Sequence, residues 1–150
     1  MATYVLVHGA WSGGWCWSPV ARRLRAAGHD VFAPTLTGQG ERAHLFSLEV
    51  GLDTHVHDVV AVMGLEDCAE VVLVGHGYGG VVITAVAEEV PSRLGSLVYV
   101  DALVPFDDRS TFDLLPVDVR DGGESGEVRP DSDQLRIGPS VRLRQVRPAL

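Results

Sequence analysis

The sequence predicts an α/β fold with about four parallel strands and helices on both faces, a three-layer sandwich. Three observations carry that prediction. Four short runs, at 4–7, 30–33, 71–74 and 97–100, are rich in Val and Leu and do not alternate with polar residues, the pattern of strands buried on both faces. The segments between them have helical spacing or turn composition, and strand–helix–strand succession builds parallel units. His8, Gly75 to Gly80 and Asp101 all follow the carboxyl ends of such runs, where parallel sheets place their ligands.

Taken in order, Tyr4 to Val7 read as the first strand and end at His8-Gly9. The Gly- and Trp-rich stretch 9–17 reads as a loop. Ser18-Pro19 opens a helix, with Ser18 as N-cap and Pro in the first turn. That helix runs through Ala21, Leu24 and Ala27 and stops at Gly28. Residues 30–33 form a second strand halted by Pro34. Residues 35–52 form a long polar loop, after which Asp53 or Thr54 caps a helix through Val59, Val62 and Met63. The third strand, 71–74, leads directly into Gly75-His76-Gly77-Tyr78-Gly79-Gly80. A helix of small and β-branched residues, 81–90, precedes Pro91, and the fourth strand ends at Asp101. Past Pro116 the periodicity fails, so residues 1–116 read as the ordered part and 117–150 as a disordered or loosely docked tail.

The bulk properties exclude several classes. The net charge is −8, with 14 acids against 6 Arg in residues 1–116 and 6 of each in 117–150, which disfavours nucleic acid and anionic membranes as partners. No apolar run reaches the ~18 residues of a bilayer span, and the N-terminus has no basic region or cleavage site. Cys16 and Cys68 form neither a disulfide framework nor a metal pattern. The expectation is a cytoplasmic protein with no cofactor and no metal.

A strand, Gly-x-Ser-x-Gly and a helix make a nucleophile elbow. Here the string is Gly75-His76-Gly77-Tyr78-Gly79, with glycine at the central position. Further strings are His8-Gly9-Ala10-Trp11 with Gly14-Trp15-Cys16-Trp17, then Pro34-Thr35-Leu36-Thr37-Gly38-Gln39-Gly40-Glu41-Arg42, and Asp101-Ala102 after the fourth strand. Together they make residues 3–116 resemble the α/β-hydrolase branch of small carboxylesterases and hydroxynitrile-lyase-like proteins. The resemblance implies an oxyanion hole from the His8-Gly9 loop and the residue after the nucleophile, hence the N–H groups of Ala10 or Trp11 and of Tyr78. It also implies a Ser at position 77, and an acid and a His on later strands. Gly77 is the degenerate nucleophile position. Asp101 is a candidate acid or a simple cap of the strand end, and no His follows His76. The chain reads as a partial, truncated version of that fold, esterase in ancestry and inactive as it stands, with a crevice for a small ester or ketone.

Other readings stand beside this one. Gly75-x-Gly77-x-x-Gly80 matches the dinucleotide fingerprint, with Asp101 about 20 residues on. That fingerprint normally follows the first strand, not the third. A nonfunctional fragment, its last strands replaced after a frameshift or premature stop, is the third reading. His55-x-His57-Asp58 suggests a metal pair, but positions i and i+2 of a helix face apart, so a solvated helix start is expected. His8 is expected to bind backbone and His76 to act as a spacer in the elbow. Trp11, Trp15 and Trp17 are expected to pack in the core or under a lid, with Trp11 nearest a ligand. Glu41 and Arg42 are expected to pair. The apolar edge at 97–100 is expected to dimerise, aggregate or be covered by the tail.

Overall fold

The computed structural model describes residues 1–105. The boundary at 116 and the tail 117–150 lie outside the described residues. The sheet has four parallel strands: β1 (Thr3–Val7), β2 (Asp30–Phe32), β3 (Val71–Gly77) and β4 (Leu94–Ala102), in the order β2-β1-β3-β4. The three longest helices are α1 (Ser18–Ala26), α2 (Leu52–Leu65) and α3 (Gly79–Glu89).

Successive strand residues point to opposite faces, and the core divides accordingly. Val5, Val7, Val71 and Leu73 face one layer with Val56, Val59 and Met63 of α2 and Val82, Ile83 and Val86 of α3. Leu6, Val31 and Val74 face the other, with Trp17 and with Ala21 of α1. The sandwich is therefore three layers; the runs in β1, β2 and β3 are covered on both sides, whereas of the run 97–100 only Leu97 packs against the core, so the expectation of burial on both faces fails there.

The element boundaries differ from expectation in instructive places. Ser18 does not cap α1; a 3-10 turn, Gly14–Trp17, runs straight into the helix, so Ser18 is already helical and Trp17 holds the cap position. Gly51 holds that position for α2, and Thr54 reaches back to accept from the Gly51 N–H at 3.2 Å. The expected polar loop 35–52 contains a 3-10 turn at Gly40–Leu45. Strand β3 continues three residues past Val74, because Gly75 stays paired with both neighbours and His76 and Gly77 with β4. Among the described residues β4 is an edge strand, and Val98, Tyr99 and Val100 are exposed on it.

Glycine substitutions should separate contact from propensity. Alanine normally stabilises a helical site by up to about 1 kcal/mol over glycine. At Gly64 a Cβ meets nothing within 4 Å, so Gly64→Ala should raise the urea midpoint. At Gly79 a Cβ would sit 2.6 Å from the Val7 carbonyl oxygen and 2.8 Å from that of His8. Backbone cannot yield as a side chain can, so Gly79→Ala should lower the midpoint by about 3 kcal/mol or more in equivalent stability.

Candidate active site

The crevice lies where β1, β3 and β4 end. The turn from β3 into α3 is tight enough that a Cβ on Gly75 would lie 2.5 Å from the Gly79 carbonyl oxygen, and one on Gly80 would lie 2.4 Å from that of Leu103. Gly77 differs. Its φ is +52°, and an added Cβ would meet only the Gly9 Cα, at 3.6 Å. The elbow therefore has room for a side chain at its centre, aimed past the loop after β1, and glycine leaves that position without a hydroxyl.

His8 builds the opposing wall. It is fully buried. The Leu36 N–H donates to its Nε2 at 3.0 Å, so the ring proton is on Nδ1, which donates to the Gly9 carbonyl at 2.7 Å. In a trans peptide C=O and N–H point in opposite directions. Drawing the Gly9 oxygen toward the core therefore turns the Ala10 N–H away from it. The resemblance left Ala10 and Trp11 as alternative donors. The Trp11 N–H is engaged by Gln39 Oε1 at 2.9 Å, whereas among the described residues the N–H groups of Ala10 and Tyr78 have no acceptor. Trp11 itself has φ +58°, strain of a kind that gathers at functional sites.

Tyr78 carries the second wall. It holds the N-cap position of α3, and its hydroxyl lies 2.9 Å from His55 Nδ1. The other ring nitrogen of His55 lies 2.9 Å from the Thr37 carbonyl. A carbonyl only accepts, so Nε2 carries the proton and Nδ1 accepts from the phenol. Asp58 accepts from the Thr37 N–H at 2.6 Å and from its hydroxyl at 2.8 Å. His55 is thus buried, not part of a solvated helix start; His57 is exposed. The sequence held the signal, since His55 is three residues after Leu52 and four before Val59, on the apolar stripe of α2. Among the described residues no group of three or more His, Cys, Asp or Glu is placed to hold a metal.

The remaining candidates separate. Asp101 is exposed, with φ +44°, at the bulge where His76 pairs with Val100 but Gly77 pairs with Ala102. His76 is exposed, with its ring edge-on to Trp17. Trp17 is core, whereas Trp11 and Trp15 are about 60% exposed. Glu41 and Arg42 do not pair. The Thr35 hydroxyl donates to Glu41 at 2.6 Å and holds the carboxyl below its usual range, while Arg42 lies 3.6 Å from Asp58. No helix of the described residues is long and apolar enough to cross a membrane.

Residues 4–148 match the model of the alpha/beta hydrolase family. The chain belongs to that family. The match runs past Pro116. A carbendazim-hydrolyzing esterase of Nocardioides sp. (strain SG-4G) is 53% identical over 77% of this chain and 48% of its own length. Methyl jasmonate esterase 1 of Vitis vinifera is 37% identical over 68% of this chain and 40% of its own. An extracellular alpha/beta-hydrolase from a Paenibacillus species is 32% identical, with a TM-score of 0.75 over 81% of this chain and 49% of that one. Such relatives place the hydrolase chain in the branch of small esterases and hydroxynitrile lyases. It spans about half the length of these relatives.

Burial holds the imidazoles of His8 and His55 below their ordinary value of 6.5. The unfolded chain therefore takes up protons at these residues before the folded one does. Stability should fall as pH drops below about 6.5 and level off only below the folded values. Urea midpoints at pH 7.5 and pH 5 should show this loss, and His55→Asn should lose less across the same window.

Proposed function

We propose that this chain is a non-hydrolytic member of its family, which binds a small ester or ketone at the crevice between the His8-Gly9 loop and the elbow and does not cleave it. The observation that carries this reading is Gly77. The elbow geometry that should present a nucleophile is intact, with positive φ and open space, and the attacking group is absent. The unengaged N–H groups of Ala10 and Tyr78 support carbonyl binding, since such donors stabilise a polarised oxygen whether or not it is attacked. Exposed Trp11 supplies an aromatic surface beside them.

The imidazoles of this chain support the same reading. A serine hydroxyl needs a base to be nucleophilic. Both ring nitrogens of His8 and His55 are engaged. His29 accepts from the Ala2 N–H at the opposite end of β1. His44 and His57 are exposed on a 3-10 turn and on α2, and His76 is the elbow spacer.

Three measurements test this. Gly77→Ser should turn over p-nitrophenyl acetate no faster than Gly77→Ala, because losing the base of a triad costs on the order of 10⁶ in kcat. Turnover by the serine variant well above the alanine control would reject the reading. Titration calorimetry with phenyl acetate and acetophenone should give saturable heat with the ester recovered intact, and absence of heat with both would also reject it. In the same series NAD and NADP should leave the melting midpoint unchanged. A rise would favour the dinucleotide reading instead.

A further inference from the structure

We propose that His55 is a positioning residue for the oxyanion wall, holding the Tyr78 phenol and, through it, the Tyr78 N–H in fixed relation to the loop after β2. This rests on the carbonyl-binding reading above and names the residue that sets its geometry.

The peptide that carries the Tyr78 N–H is held on its other side, where the Gly77 carbonyl accepts from the Leu103 N–H at 2.9 Å, but the start of α3 has few side-chain holds. Its first two residues, Gly79 and Gly80, have no side chains, and no side chain caps the helix. Tyr78 is the first residue after Gly77 with a side chain, and it shares its backbone with the proposed donor. Its ring turns toward α2 and meets His55 edge-on, with centroids 5.6 Å apart. A phenol held at its far end restrains the peptide at its near end, because Tyr has only two rotatable side-chain bonds.

The hold is only as firm as the anchor behind it. That anchor is Thr37, gripped at three points by one helix: its carbonyl by His55, and its N–H and hydroxyl by Asp58 one turn later. His55 is therefore fixed at both ring nitrogens, and its tautomer is set by partners that leave no choice. From Thr37 the same loop carries Gln39 to the Trp11 N–H. The two walls of the crevice, the elbow and the loop after β1, are thus referenced to one rigid helix. The Tyr78 phenol, Asp58 and the nearby His8 are the charged or titratable groups around this imidazole.

Side-chain surgery distinguishes positioning from packing. His55→Asn keeps an acceptor where Nδ1 stood, for the phenol, but loses the bond to Thr37. His55→Gln keeps reach toward Thr37 but not the Nδ1 acceptor. His55→Leu loses both, and Tyr78→Phe removes only the hydroxyl while keeping the ring, so it reports even where His55→Leu fails to fold. Affinity for phenyl acetate should fall about five- to tenfold in Tyr78→Phe, His55→Leu and His55→Gln, the worth of one buried hydrogen bond, and fall less in His55→Asn, which keeps the phenol's acceptor but loses the Thr37 anchor. The Tyr78 amide, followed by ¹⁵N NMR without ligand, should exchange its proton faster in the same three variants. In the double variant Tyr78→Phe with His55→Leu the two losses should not add. Unchanged Tyr78 amide exchange in Tyr78→Phe and His55→Leu, or an Asn variant no better than Leu, would overturn the proposal. If the wild type fails to bind phenyl acetate, the carbonyl-binding reading falls, while the amide measurement still decides whether His55 positions the wall.

Discussion

The close approach of α3 to the ends of β1 and β4 is the constraint on which the crevice depends. Three glycines permit it for the same reason: a Cβ on Gly75, Gly79 or Gly80 would be driven into backbone atoms 2.4–2.6 Å away. Backbone contacts of this kind have no flexible end to move aside. The elbow is therefore specified by packing, and it holds its shape whatever occupies its centre. Gly77 stands apart from these three. There the space is open, and only the positive φ favours glycine. Sequence alone shows four glycines in a short string; the structure divides them into three required by contact and one that is optional in space.

The second organising feature is a pair of buried imidazoles on either side of the loop after β2. His8 accepts from the Leu36 N–H and His55 donates to the Thr37 carbonyl. Adjacent residues of one loop are thus held from two elements, by opposite hydrogen-bonding roles. Each ring is neutral for the same physical reason, burial that disfavours the charged form. Each spends its remaining nitrogen on a wall of the crevice, His8 on the Gly9 carbonyl and His55 on the Tyr78 hydroxyl. Both ring nitrogens of each histidine are engaged, and on the proposed reading their task is to align backbone donors.

Much of the fold was legible in the sequence because its signals are local or enforced on two faces. The four strands and the layers above and below them follow from apolar runs that do not alternate and from the helices between them. The elbow and the loop after β1 were legible because tight turns restrict residue type. What escaped the sequence was polar and long-range. Gln39 meets Trp11 across 28 residues and His55 meets Tyr78 across 23. No short motif encodes such pairs. The apolar stripe of α2 could have revealed that His55 faces inward, but not what it faces. The expected Glu41–Arg42 pair failed for the opposite reason: neighbours in sequence were drawn apart by Thr35 and Asp58, which lie close only in the folded chain.

These features explain how a crevice of this kind can persist without an attacking group. A residue with a Cβ at φ +52° carries strain of about 1–3 kcal/mol, which glycine does not. Replacing a hydroxyl-bearing residue there by glycine therefore costs no packing and relieves the backbone. The donors at Ala10 and Tyr78 do not depend on the side chain at position 77, because the Gly9 carbonyl is held by His8 and the Gly77 carbonyl accepts from the Leu103 N–H at 2.9 Å. Chemistry and recognition thus rest on separate supports in this chain. The first depends on one side chain at a strained position. On the proposed reading the second depends on buried hydrogen bonds and glycine contacts that the fold needs for its own stability, so it would remain where the first is absent.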